Sequence, residues 1–145
     1  MARIDYIAIH NAGGTKSEPY RSSKELTLEQ IDSAHFQRWP DFKSKLGYFV
    51  GYNFLIFPNG TWKQTRLCGE ETAAQKNFNT TAVSLCLIGN FTERMGIPID
   101  APTPEQIATL RSFLIALSEN NRPALEKMGV KFENVVLNMH PTRIH

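Results

Sequence analysis

The sequence predicts an α/β protein: short apolar runs alternate with helix signals, two helix starts carry capping signatures, and an Asn-Gly turn joins two strands near the middle. Residues 4–9 read as a buried first strand that ends on His10 and is broken by Asn11-Ala12-Gly13-Gly14. Thr27 and Gln30 have capping-box spacing, and Leu28, Ile31, Ala34 and His35 then recur at helical intervals, so a helix starts from Thr27. It is expected to stop near Trp39, because Pro40 disfavours helical geometry in the residue before it. Residues 51–57 and 61–65 read as strands joined around Pro58-Asn59-Gly60. The polar stretch 70–81 reads as a long loop, a class of segment that often carries function. A strand over 82–88 follows. Thr103-Pro104-Glu105-Gln106 is a second capping box with proline at the first helical position, and Ile107, Leu110, Leu114 and Leu117 form one apolar stripe read as core packing. Asn120-Asn121-Arg122-Pro123 ends that helix, and a final strand over 135–139 leads into His140.

Composition narrows the function classes. A chain of 145 residues is long enough for one core that buries about two-thirds of the unfolded surface, so a single domain over 1–145 is expected. With 41% hydrophobic residues and 10% aromatics it reads as a soluble globular protein. Apolar stretches such as 52–57 are too short to cross a bilayer, so no stable membrane insertion is expected. The amino-terminal residues lack the basic-then-apolar pattern of a secretory signal, which points to synthesis in the cytoplasm. A net charge of +2 with scattered basic residues argues against nucleic acid as a partner, and a monomer is expected. Cys68 and Cys86 are too few for a disulfide framework and are expected to be reduced.

His10 and His140 carry the functional question. A strand that finishes on an imidazole presents a metal ligand at a sheet edge, but these two strands lie at opposite ends of the chain. Only a fold that makes them neighbours uses both. Taken singly, a histidine after an apolar run is more often a structural residue than a ligand.

Their context supplies a reason to pair them. Ile9-His10-Asn11, the run from Val50-Gly51-Tyr52-Asn53-Phe54 to Asn59-Gly60-Thr61 and Arg66, Leu85-Cys86-Leu87-Ile88-Gly89-Asn90-Phe91, the Thr103 capping box with Leu110-Arg111-Ser112, and Val136-Leu137-Asn138-Met139-His140 occur in one order. This ordered set resembles the zinc-dependent N-acetylmuramoyl-L-alanine amidases, in particular the T-seven type phage lysozymes, which share a fold with peptidoglycan recognition proteins. The resemblance covers nearly the whole chain. It implies a central mixed β-sheet flanked by helices, with His10 and His140 as zinc ligands and Tyr52 as the catalytic-site tyrosine. Neutral imidazole suits zinc, and a catalytic zinc keeps an open position where water becomes nucleophilic near neutral pH. A phenol such as Tyr52 suits a developing oxyanion. Asn11 and Asn79 fall on positions expected to contact substrate. Arg66 is expected either to hold the loop by an ion pair or to meet a carboxylate-bearing peptide.

The same resemblance sets out the departures. In the family a cysteine or aspartate about eight residues after the second histidine is the third ligand, whereas this sequence stops at His145, five residues after His140. The third ligand is therefore either His145 or a residue beyond a shortened carboxyl end. Loop histidines common in relatives are replaced by Thr72-Ala73-Ala74-Gln75, and the stretch 41–47 is longer than in the compact phage enzymes. His35 reads as structural, while Trp39 and Trp62 suit either sugar stacking or packing. The implied activity is that of a cell-wall hydrolase, a phage or prophage endolysin that cleaves the bond between N-acetylmuramic acid and L-alanine in peptidoglycan or muropeptide once a holin releases it. A cytoplasmic recycling amidase ranks lower, because Cys86 stands where that branch usually carries glutamate. The alternative is a catalytically inactive muropeptide-binding or regulatory module on the same fold.

Overall fold

The alternation of strands and helices is present in the computed structural model, which describes residues 2–74 and 77–139. In chain order the elements are β1 (Ala2–Ile4), β2 (Tyr6–Asn11), α1 (Leu28–Arg38), β3 (Phe54–Ile56), β4 (Trp62–Gln64), β5 (Ala82–Leu87), β6 (Glu93–Arg94), β7 (Ile97–Pro98), α2 (Pro104–Ser118), α3 (Arg122–Met128) and β8 (Val135–Leu137). The central sheet has the order β2-β5-β3-β4; β2, β5 and β3 run parallel and β4 returns antiparallel. All six residues of β5 are buried, as expected for a parallel strand covered on both faces.

Alternation along the strands sends side chains to two separate clusters. Ile7, Phe54, Ile56, Val83 and Leu85 pack with Phe113, Leu117 and Leu125 on the face covered by α2 and α3. Leu55, Cys86 and Ile88 pack with Val50 and with Ile31 of α1 on the other. Register places His10 beside Cys86, and Cys86 beside Leu55, so the imidazole belongs to the α1 face at the carboxyl edge of the parallel strands.

Both capping boxes form. Thr27 Oγ1 accepts from Gln30 N at 3.2 Å while Gln30 Oε1 accepts from Thr27 N at 2.9 Å, and Thr103 and Gln106 repeat the exchange. The helix from Thr27 ends at Arg38 with Trp39 as its cap, as Pro40 requires. Of the expected α2 stripe, Leu110, Leu114 and Leu117 pack in the core and Ile107 does not. Ile107 is 39% exposed, and the buried positions are Gln106, Phe113, Ala116 and Leu117. Gln106, beside Ile107, takes the buried place at the start of the helix, where its Nε2 donates to Ile56 O and Ile88 O, both at 3.0 Å.

Three other features depart from expectation. Strand β3 is shorter than 51–57, because Gly51 N donates to a side chain and Asn53 Oδ1 takes the Ser84 N–H as a ladder partner would. Helix α3 was unforeseen: Asn121, read as part of a stop, also starts the next helix by accepting from Ala124 N at 3.1 Å. The final strand is Val135–Leu137 and pairs in parallel with β1, Ile4 against Leu137, rather than with the central sheet.

Candidate active site

A groove of about 610 Å³ opens on the α1 face at the carboxyl ends of the parallel strands, where ligand sites of α/β sheets commonly lie. Its walls include Gly13 and Lys16 from the loop after β2, Ala34, His35 and Arg38 from α1, and Tyr52 and Cys86 from the sheet. The sequence builds the α1 wall simply. Ile31, Ala34, His35 and Arg38 fall at i, i+3, i+4 and i+7, so one helical stripe turns from core at Ile31 to groove at Arg38.

Tyr52 sits between two imidazoles. Its ring centroid lies 5.9 Å from that of His10 and 5.8 Å from that of His35. Burial, reinforced by the neighbouring Cys86 thiol, raises the Tyr52 pKa well above its ordinary value, so the phenol stays protonated and able to donate. Burial likewise pushes the Cys86 thiol up to about 12, and both cysteines are free and buried.

His10 is the most telling group. Its Nε2 is buried with no hydrogen-bond partner among the described residues. Desolvation lowers its pKa, which keeps the imidazole neutral and its ring nitrogen lone pair available. A buried nitrogen without a partner costs about 1–3 kcal/mol unless something binds it. This is the arrangement a metal ligand requires. Among the described residues no group of three His, Cys, Asp or Glu side chains gathers around it. His140 and His145, the other expected ligands, lie outside the described residues.

His35 holds structure, as expected, and also lines the groove. Its Nδ1 accepts from Gly51 N at 2.8 Å, and its ring packs edge-on against Trp39. Burial first, then the charges of Arg38 and Arg66, outweigh Asp32 and bring its pKa to about 4. A neutral His35 therefore fixes the turn that delivers Tyr52. Glycine at 51 suits the same packing, since a Cβ there would meet the Ala73 side chain at 3.1 Å and Trp39 at 3.3 Å and these would have to give by a few tenths of an ångström. The signal was present as the i+4 step from Ile31, extended by Arg38.

The remaining candidates divide. Asn11 ends β2 next to His10, paired in register with Leu87. Asn79 lies elsewhere, holding Thr72 through its carbonyl and lining a shallow depression with Trp39 and Phe42. Arg66 is not placed for substrate. It is 2% exposed, its Nε donates to Val50 O at 2.6 Å and its Nη2 to Phe42 O, and its guanidinium lies 3.9 Å from the Phe42 ring. Backbone carbonyls, rather than the expected ion pair or a peptide carboxylate, take its donors, because the loop 41–50 folds over it. Trp62 packs on Phe54 and Phe113 in the core, which removes it from sugar binding.

Comparisons with known proteins agree on what kind of chain this is. A family model described as N-acetylmuramoyl-L-alanine amidase matches residues 1–140. An endolysin of Klebsiella phage KP32 is 37% identical over 68 residues, a stretch that covers 47% of this chain and 44% of that endolysin. This chain thus matches less than half the length of that curated relative. Among solved structures, the N-acetylmuramoyl-L-alanine amidase LysC from Clostridium intestinale superposes with a TM-score of 0.56 at 21% identity, covering 90% of this chain and 68% of LysC. Bumblebee PGRP-SA gives a TM-score of 0.60 at 22% identity, covering 83% of this chain and 65% of that one. At such identities the structural likeness speaks for the fold.

Proposed function

This chain belongs to the N-acetylmuramoyl-L-alanine amidase family, and on that premise we propose that it hydrolyses the amide between N-acetylmuramic acid and L-alanine in peptidoglycan or muropeptide, as an endolysin acting on the cell wall. The observation that carries this reading is the His10 Nε2, buried, neutral and without a partner among the described residues, beside a protonated Tyr52. His10 and His140 are the residues that would hold a zinc ion, with His145 as the candidate third donor. When bound, zinc supplies Lewis-acid polarisation of the scissile carbonyl.

The chain's own groups supply the rest. The Tyr52 hydroxyl, kept protonated by burial, donates a hydrogen bond to the carbonyl oxygen as negative charge develops there, a contact worth about 3 kcal/mol of barrier. His35 holds the Gly51–Tyr52 backbone in place through its 2.8 Å bond, so the phenol is positioned before substrate arrives. The groove along α1 takes the peptide on the leaving side.

The test measures zinc per chain and release of stem peptide from purified peptidoglycan. Wild type is expected to bind zinc and release peptide, and His10→Ala to lose both while its folding transition is retained. Unchanged metal content in His10→Ala would remove it from the ligand set. A protein that binds muropeptide with neither zinc nor release would instead be a recognition module.

A further inference from the structure

Arg38 stands at the junction of two depressions whose charges differ, and it belongs to both. On one side is the groove beside Tyr52, whose wall also carries Lys16 and includes no Asp or Glu. On the other is the shallower depression lined by Asp41 and Glu71. The guanidinium lies 4.5 Å from the centroid of the Trp39 ring, a cation–π contact that reduces its freedom without occupying its in-plane donors. Among the described residues no carboxylate lies within ion-pair distance of it. Arg66, by contrast, has its donors on backbone carbonyls. Arg38 is thus an ordered cation whose side chain is still free to bind, on the wall of the proposed active-site groove.

We propose that Arg38 determines specificity by reading a free carboxylate on the substrate peptide, one residue or so beyond the scissile amide. Resting on the amidase reading, the assignment fixes where that carboxylate goes. Asp41 and Glu71 repel an anion from the outer depression, whereas Lys16 and Arg38 attract it to the Tyr52 side. A planar guanidinium already stacked on an indole meets a carboxylate through two parallel N–H donors with little further loss of rotamer freedom. Arg38 contacts no reacting atom, so its effect belongs on binding.

Two soluble probes separate the possibilities: N-acetylmuramoyl-L-alanyl-D-glutamate with its γ-carboxyl blocked as the methylamide, and the same compound with the glutamyl α-carboxyl amidated as well. Wild type is expected to show a KM about tenfold lower for the free acid, from one charge-assisted contact at a partly exposed site. In Arg38→Gln the two KM values converge, with KM moving more than kcat, and Arg38→Lys recovers part of the preference. Raising the salt concentration narrows the wild-type gap. A wild type indifferent to amidation, or a preference that survives in Arg38→Gln, overturns the assignment. Calorimetric titration of both probes reads the same preference without turnover. If neither probe is cleaved but the free acid binds more tightly through Arg38, the amidase reading fails and the carboxylate site stands.

Discussion

The two faces of the central sheet are covered by helices of similar sequence logic, yet they do opposite things. On the α2 face Phe54, Trp62 and Phe113 form a triangle of ring contacts between 4.8 and 5.8 Å, and the buried amides Gln106 and Gln64 are each bonded to two carbonyls. On the α1 face His10, His35 and Tyr52 line or adjoin a groove, and the buried Nε2 of His10 has no partner among the described residues. Satisfied polar groups and close packing give stability, whereas an unsatisfied nitrogen beside a cavity gives up stability for binding. The face with α2 holds the sheet so that the face with α1 can remain incomplete.

Substitutions that separate the two roles should break this contrast if it is wrong. Phe113→Ala removes the centre of the α2-face cluster and is expected to cost about 4 kcal/mol of folding free energy, read by denaturant titration, with activity per folded molecule retained. A loss of the same size from Leu55→Ala with activity also retained would mean that the faces are equivalent. Tyr52→Phe is expected to lower kcat about a hundredfold, near 3 kcal/mol, with a much smaller change in stability, read by steady-state kinetics beside thermal melting.

The pH dependence of stability sharpens the comparison further. His35 has a pKa of about 4 in the folded protein, against an ordinary value near 6.5 when unfolded. Below pH 6.5 the unfolded chain takes up a proton that the folded one refuses, so the contribution is whole above pH 6.5 and is lost as pH falls toward 4. Allowing for partial solvent screening, the loss is about 2 kcal/mol. His35→Gln should flatten that part of the stability curve, measured as the difference between variant and wild type in urea titrations from pH 7 to 4. An identical slope in both would detach His35 from the turn.

The smallest effect concerns the loop opposite α1. Asp100 accepts from Ser22 Oγ at 2.6 Å, Ser23 N at 2.9 Å and Asn90 N at 2.8 Å. Burial raises its pKa, but these hydrogen bonds, with one from the Lys24 amide, outweigh it and leave the carboxyl below its ordinary value. Asp100→Asn is expected to cost about 1–2 kcal/mol and to raise KM rather than lower kcat, because the loop wall loosens. Equal KM with the stability loss present would free the groove from that loop.

Local signals carried much of the fold. Both capping boxes, the stop before Pro40 and the hairpin at Asn59-Gly60 depend on side chains within a few residues of one another, so their positions in the sequence are enough. His10 and Tyr52 were legible because a strand end and a Gly-Tyr-Asn-Phe turn leave short ordered patterns, and the ordered set of such patterns carried the family resemblance. Long-range polar contacts decided the rest. The burial of Gln106 in place of Ile107 depends on its reaching the carbonyls of Ile56 and Ile88, the clamp role of Arg66 on carbonyls 16 and 24 residues away, and the place of His35 on Gly51 across a loop. Asn121 could be read as a stop from its neighbours, but whether the chain resumes a helix there depends on the core that receives Leu125. Sequence alone determined where α1 and α2 start and where α1 stops, because those choices are made by adjacent atoms. Tertiary structure decided which polar atoms are satisfied and which remain open, because a hydrogen-bond partner is set by where the chain returns in space.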